Sequence, residues 1–147
     1  VSEVKELTNG QFEEFLPDPT PAKNTQNLIL CSGKVYYDLL EAREGQRNSK
    51  STIIRVEQFY PFNMEKFKEV IEPYAKVKRV VWCQEEPLNM GAWSFLCPIL
   101  EEALGLRPHY AGRTPTASPA TGSLTLHKIE QAELVADALN QTQITRS

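Results

Sequence analysis

Cysteine and histidine are scarce in this sequence of 147 residues: Cys31, Cys83 and Cys97 are the only cysteines, His109 and His127 the only histidines. Three scattered cysteines make no disulfide framework. Two distant histidines without carboxylates at ligand spacing give no structural zinc site. Cys31 and Cys83 each end an apolar run, where a free thiol packs as a small hydrophobe, and the counts point to a reducing compartment. Lys and Arg form no block and the formal net charge is −3, so nucleic-acid binding, which needs a clustered basic surface, is not expected. No stretch approaches the roughly 20 apolar residues of a membrane span, so no membrane partner is expected. Also missing are Gly-x-Gly-x-x-Gly, Gly-x4-Gly-Lys-Ser/Thr, and any serine or cysteine with a His/Asp partner set. The chain opens on Val1 with no charged-then-apolar leader, so we expect an N-terminus internal to a longer protein.

What is present is a strand-then-helix rhythm. Branched apolar runs at Leu28–Cys31, Ile53–Val56 and Val80–Cys83, with a weaker one at His109–Ala111, recur at the spacing of a strand plus a crossover helix. Near-continuous apolar runs suit parallel strands covered on both faces. The intervening segments carry helical period. Lys34 to Gly45 presents Val35, Leu39 and Ala42, with Gly45 as a stop signal. After Pro61 come Met64, Phe67, Ile71 and Tyr74, with the last turn unwinding near Pro73. A third stripe is Trp93, Leu96, Leu100 and Ala103, closing at Gly105, in which Pro98 predicts a kink or a late start. The last is Ile129, Ala132, Ala136 and Leu139, with Asn140 as its cap. Pro17-Asp18-Pro19-Thr20-Pro21 and Gly112–Gly122 read as loops, and Phe12–Leu16 as a short edge strand with Phe12 and Leu16 on one side. The expected fold is α/β, a three-layer α/β/α sandwich in one domain over 1–147. Residues 1–25 hold the edge strand and Pro-rich loop, 26–140 the core, and 141–147 a tail.

Candidate polar residues gather where strands hand over to helices, the usual ligand edge of an open α/β sheet. Ser32 reads as an N-cap and Gly33 as a tight turn before Lys34. Glu85 and Glu86 follow the third strand. Adjacent carboxylates on an extended segment point to opposite sides, which argues for a surface role over acid/base work. Arg55 lies inside a strand and must be paired, with Glu57 two residues on as the partner. Arg113, in a glycine-flanked turn, suits a planar clamp on a carboxylate or phosphate. No catalytic residue, metal ligand or cofactor ligand is expected in this chain.

Several stretches resemble the last domain of 2-oxoglutarate dehydrogenase decarboxylating subunits. They are Cys31-Ser-Gly-Lys-Val-Tyr-Tyr-Asp-Leu-Leu-Glu41, Arg55-Val-Glu-Gln-Phe-Tyr-Pro-Phe62, and Val81-Trp-Cys-Gln-Glu-Glu-Pro-Leu-Asn-Met-Gly-Ala-Trp93. Tyr110-Ala-Gly-Arg113, Ala117-Ser-Pro-Ala-Thr-Gly122 and Asp137-Ala-Leu-Asn140 complete the series in order. The resemblance implies a transketolase C-terminal-like domain, a five-stranded mixed sheet with its first strand antiparallel. For the whole enzyme it implies thiamine diphosphate and Mg²⁺, decarboxylation of 2-oxoglutarate, and succinyl transfer to the lipoyl arm of an acyltransferase. The family's Gly-Asp-Gly…Asn cofactor motif is absent here. The implied role is packing against other domains and a homodimer partner, in bacterial cytoplasm or mitochondrial matrix. Gln84, Glu85, Glu86, Asn89 and Trp93 are expected to face a neighbouring domain or subunit, and Lys34 and Arg113 to border an effector site. The alternatives are the same domain of a 2-oxoadipate dehydrogenase or 2-oxoglutarate decarboxylase, and a free-standing flavodoxin-like binding module. The strand ends Cys31-Ser32, Glu57-Gln58 and Gln84-Glu85 lack the acidic cluster that a phospho-receiver needs.

Overall fold

Leu28 and Leu30 pack to one side of a sheet, Ile29 and Cys31 to the other, the period-two geometry of an extended strand. The structure, a computed structural model, describes residues 14–46, 49–59, 61–87, 92–113 and 124–139. Its strands are β1 (Phe15–Leu16), β2 (Asn27–Cys31), β3 (Ser51–Val56), β4 (Arg79–Pro87) and β5 (His109–Arg113). Its helices are α1 (Val35–Glu44), α2 (Met64–Ile71), α3 (Trp93–Leu104) and α4 (Leu124–Ala138), with a 3-10 turn at Glu72–Tyr74. The sheet order is β1-β3-β2-β4-β5. β1 runs antiparallel to β3, and the other pairs are parallel. This is the expected mixed sheet.

The sheet divides the core in two. On one side Leu28, Leu30, Ile54, Val80 and Trp82 meet Phe67 and Ile71 of α2 and Leu96 and Leu100 of α3. On the other, Ile29, Ile53, Val81 and Cys83 meet Val35 and Leu39 of α1 and Leu134, Val135 and Ala138 of α4. Two expectations change here. In the edge strand Phe15 is the buried residue, packed on Phe62 and Phe67; Phe12 lies outside the described residues. The inward face of α4 is Leu134, Val135, Ala138 and Leu139, while Ile129 is 50% exposed. The helix is rotated from the expected stripe because Gln131 faces inward to a polar cluster. Asn140, its expected cap, is outside the described residues.

Helix ends follow local chemistry, in part unexpectedly. Gly33 adopts φ 79°, the left-handed turn that glycine enters at least cost. Yet α1 has Lys34 at its N-cap and no side-chain cap, so Ser32 does not cap it. The helix stops at Gly45 through a bond from its N–H to Ala42 O at 3.2 Å, with φ −78°: a tightened last turn replaces the left-handed glycine. Gly105, at φ 75°, does close α3 in the left-handed form. Asn63, overlooked in the sequence, caps α2 by accepting from Lys66 N–H at 3.0 Å. Pro73 falls in the 3-10 turn. Pro98 sits inside α3, five residues after the start at Trp93, so the late start is excluded.

The Pro-rich loop is fastened by one buried ion pair. Asp18 bonds the Arg43 guanidinium and accepts from Thr20 N–H and Ile53 N–H, both at 2.8 Å. Arg43 also reaches Ser51 O and Thr20 Oγ1. Burial by itself would raise the Asp18 carboxyl, but the bonds from Arg43, Ile53 and Thr20 outweigh it and hold it below its ordinary value. A carboxyl lowered on folding stabilises above its unfolded pKa of about 3.9 and loses that share as pH falls through the folded value.

Asp18→Asn leaves Arg43 charged and buried, and should destabilise the chain by about 3–5 kcal/mol in urea titrations at pH 7. The deficit should shrink as pH falls below about 4, where the unfolded wild-type carboxyl takes up its proton first, and vanish once pH has passed the lowered folded value; a deficit independent of pH contradicts this account. Pro98→Ala restores an N–H to an exposed helix position. It should stabilise by roughly 2 kcal/mol, the interior-proline penalty less the unfolded-chain entropy it returns. An unchanged urea midpoint would refute that.

Candidate functional site

From β2 the chain crosses to β3 on one side and then returns to β4 on the other. In open α/β sheets a ligand crevice lies outside the carboxyl ends of strands at such a reversal. Near that edge the chain's own polar side chains bond one another. Gln131 of α4 donates to Asp38 of α1 at 2.7 Å and to Glu85 of β4 at 3.1 Å. Its carbonyl oxygen accepts from Arg113 Nη2 at 2.7 Å. Arg113 Nη1 meets Glu130 Oε1 at 2.9 Å, and Nε donates to the backbone oxygen of Glu85 at 3.0 Å.

The placement follows from β4. This strand runs on to Pro87, and its pairing with β5 becomes irregular after Cys83. Such an irregularity re-aims side chains beside it. Glu85 and Glu86 therefore belong to the strand itself, and Arg113 is the last residue of β5 rather than part of a turn. Glu85 is half-buried and Glu86 exposed, consistent with opposite directions. Within the same bend Trp82 Nε1 donates to Gln84 Oε1 at 2.8 Å, and Gln84 Nε2 donates to Glu86 O at 3.0 Å. The Tyr110 hydroxyl lies 2.7 Å from Arg113 O and 3.2 Å from Glu86 O. Burial, reinforced by Cys83 and Glu86 and offset by Gln84 and Arg113, pushes it up to about 12.

Two expected interface residues are internal. Gln84 is 2% exposed because its amide serves Trp82 and Glu86. Trp93 is 9% exposed, packed on Tyr110 at 5.2 Å and beneath Arg107 at 5.9 Å. Asn89 lies outside the described residues. Lys34 is exposed at the start of α1. Arg113 does clamp a carboxylate, but that carboxylate is Glu130 of the same chain. Any further anion there would have to displace Glu130 or Gln131.

Arg55 Nε stands 3.3 Å from Glu57 Oε2, as expected. The sequence reading missed what else holds Arg55: its guanidinium lies 4.7 Å from the ring centre of Tyr36 and 5.7 Å from that of Tyr37. It also missed Asp38 and Gln131, for which the one available signal was a polar residue on a helix face otherwise turned to the sheet. At the opposite edge of the sheet, Lys50, Lys76, Lys78 and Arg79 border a cleft of ≈ 800 Å³. Arg79 is engaged there by Asn27 and by the carbonyls of Asp137 and Ala138 at the end of α4.

This arrangement holds elements together rather than reacting. Burial pushes the Cys83 thiol up to about 12 and raises Cys31 well above its ordinary value, which removes the thiolate a nucleophile needs. Among the described residues no group of three His, Cys, Asp or Glu is arranged to hold a metal ion. No helix among them is long and apolar enough to cross a membrane.

The profile of a family described as 2-oxoglutarate dehydrogenase C-terminal matches residues 1–139. The chain belongs to the 2-oxoglutarate dehydrogenase C-terminal family. It is 46% identical to a 2-oxoglutarate dehydrogenase E1 component of Haemophilus influenzae, over 95% of this chain and 15% of that protein. Identity is 41% to the E1 component of Azotobacter vinelandii, over 94% of this chain and 15% of that protein. For that of Rickettsia conorii it is 43%, over 95% and 16%. The chain thus spans about 15% of the length of these curated relatives. A solved structure, a split gene transketolase described as an inactive β4 tetramer, superposes with a TM-score of 0.57 at 19% identity. It covers 89% of this chain and 42% of that one, and supports the transketolase-like fold.

In this member of the 2-oxoglutarate dehydrogenase C-terminal family, Gly112 is required by close approach. A Cβ there would lie 2.5 Å from the Tyr110 hydroxyl and 2.9 Å from the backbone oxygen of Gln84. Gly112→Ala should therefore destabilise by about 1–3 kcal/mol, the usual cost of overpacking. The Tyr110 phenol should then titrate nearer its ordinary value in ultraviolet pH titration; an unaltered midpoint and titration would disprove the close-packing argument.

Proposed function

We propose that this chain acts as the C-terminal domain of a 2-oxoglutarate dehydrogenase decarboxylating subunit. In this reading it packs beside the cofactor-binding domains, contributes to the homodimer, and supplies no catalytic group. The observation that carries the reading is the polar cluster at the carboxyl edge of the sheet. Where an α/β sheet would take a ligand, Arg113, Glu130, Gln131, Asp38 and Glu85 satisfy one another. A domain of this family whose polar groups at that edge bond one another is suited to buttressing a site built elsewhere.

The proposed parent reaction is decarboxylation of 2-oxoglutarate with succinyl transfer to a lipoyl acyltransferase, dependent on thiamine diphosphate and Mg²⁺. The residues here do not fit that cofactor. A diphosphate held through magnesium needs free oxygen ligands, and the carboxylates at that edge are taken up by Gln131 and Arg113. The relatives named above are bacterial, which supports the bacterial cytoplasm over the mitochondrial matrix for the parent protein. Glu86, exposed at the end of β4, is the residue this reading turns toward a neighbour, with Glu85 behind it. Lys34 is its exposed cation for an effector.

Calorimetry of the isolated chain with thiamine diphosphate, Mg²⁺ and 2-oxoglutarate should give no binding heat and no carbon dioxide; either signal would end the reading. In the full-length protein, replacing Glu85 and Glu86 by alanine should weaken dimerisation about tenfold, roughly 1.4 kcal/mol. Wild-type sedimentation and turnover together would count against the packing role.

A further inference from the structure

Arg55 carries an observation that packing within the chain does not explain. Four arginines among the described residues have largely covered side chains. Three of them are hydrogen-bonded by internal partners: Arg43 by Asp18, Thr20 and Ser51, Arg79 by Asn27, Asp137 and Ala138, and Arg113 by Glu85, Glu130 and Gln131. Arg55, 20% exposed, has only the misaligned contact with Glu57. Both its Nε and Glu57 Oε2 are buried without a hydrogen-bond partner among the described residues. A covered N–H left without an acceptor is expensive, and the remaining guanidinium donors have no carboxylate set against them among the described residues.

The group is nevertheless held in place. The ring of buried Tyr36 lies under it, Tyr37 flanks it, and the two rings meet edge to face at 5.2 Å. Tyr37 is 57% exposed, the most exposed of the large apolar side chains described, and exposed Lys34 precedes the pair on α1. An oriented arginine beside an exposed tyrosine is the composition found at the centre of protein interfaces.

We infer that this end of β3 and α1 is a docking face on which Arg55 receives a carboxylate from another domain of the same polypeptide, with Tyr37 packing beside it. The inference rests on the proposed role as one domain of a longer enzyme. A carboxylate matches the planar guanidinium fork bidentately, and would supply the acceptors that Glu57 does not. Another domain is the fitting occupant because this chain spans about 15% of the matched relatives. The clefts of ≈ 420 Å³ and ≈ 800 Å³ are lined by other residues than Arg55, Tyr36 and Tyr37.

The test uses the purified full-length protein with the photo-reactive residue p-benzoylphenylalanine in place of Tyr37. Irradiation should give a cross-link to an Asp- or Glu-containing peptide of another domain in the same subunit. Arg55→Gln should lower its yield about tenfold, and Arg55→Lys, which keeps charge but lacks the fork, should not restore it. Cross-links to a second copy in isotopically mixed dimers, or no cross-link outside this domain, overturn the docking face. Should Arg55→Gln fail to fold, the Tyr37 cross-link in the otherwise unaltered protein still decides. Turnover of 2-oxoglutarate by the same labelled sample tests the parent reading separately, so failure of one is distinguishable from failure of the other.

Discussion

Every side chain of β2 is buried, and the rest of the domain is arranged to make that possible. A central strand with apolar groups on both faces must have a layer on each, and its backbone must pair on both edges. β3 and β4 supply the edges in parallel register, and two helices close each face. Asn27, the polar first residue of β2, is accommodated because its amide bonds Ser51 and the carbonyl of Ala138, while its oxygen accepts from Arg79. The strand that organises the core thereby also fixes the end of α4, more than a hundred residues away in the chain.

The same demand recurs at the two edges of the sheet. On the N-terminal side, the Asp18–Arg43 pair fastens a loop that proline would otherwise leave without backbone bonds, and ties it to β3 and α1. On the C-terminal side, Gln131 joins α1, β4 and, through Arg113, β5. Buried polar networks of this kind are favourable when every member is satisfied and costly when one is missing. Their completeness here suits a domain that braces its neighbours. Arg55 is the departure from that pattern, and for that reason the place where a neighbour is most economically accommodated.

The strands and the helix periods were legible residue by residue. Leu28–Cys31, Ile53–Val56 and Val80–Cys83 lie in the predicted strands, and Leu96, Leu100, Phe67 and Leu39 are core residues. The site was less legible. Gln84 and Trp93 read as polar-segment surface residues, yet β4 continues past its apolar run and carries Gln84 inward to serve Trp82. Ser32 has the chemistry of a cap without its geometry, since the helix begins at Val35 after a glycine turn.

The sequence by itself determined the α/β layering through its apolar period, and its ordered motifs carried the resemblance that implied the family and, with it, the mixed sheet; both are local properties readable from neighbouring residues. Only the tertiary structure decided which polar groups meet. Asp18 with Arg43, Asp38 with Gln131, and Tyr36 with Arg55 are joined across strands and helices, where a partner depends on how elements are rotated and how far each strand runs. The rotation of α4 shows the physical reason. Its facing side is chosen jointly by leucine and valine burial and by the need to satisfy Arg113, and no count of apolar spacing contains that second term.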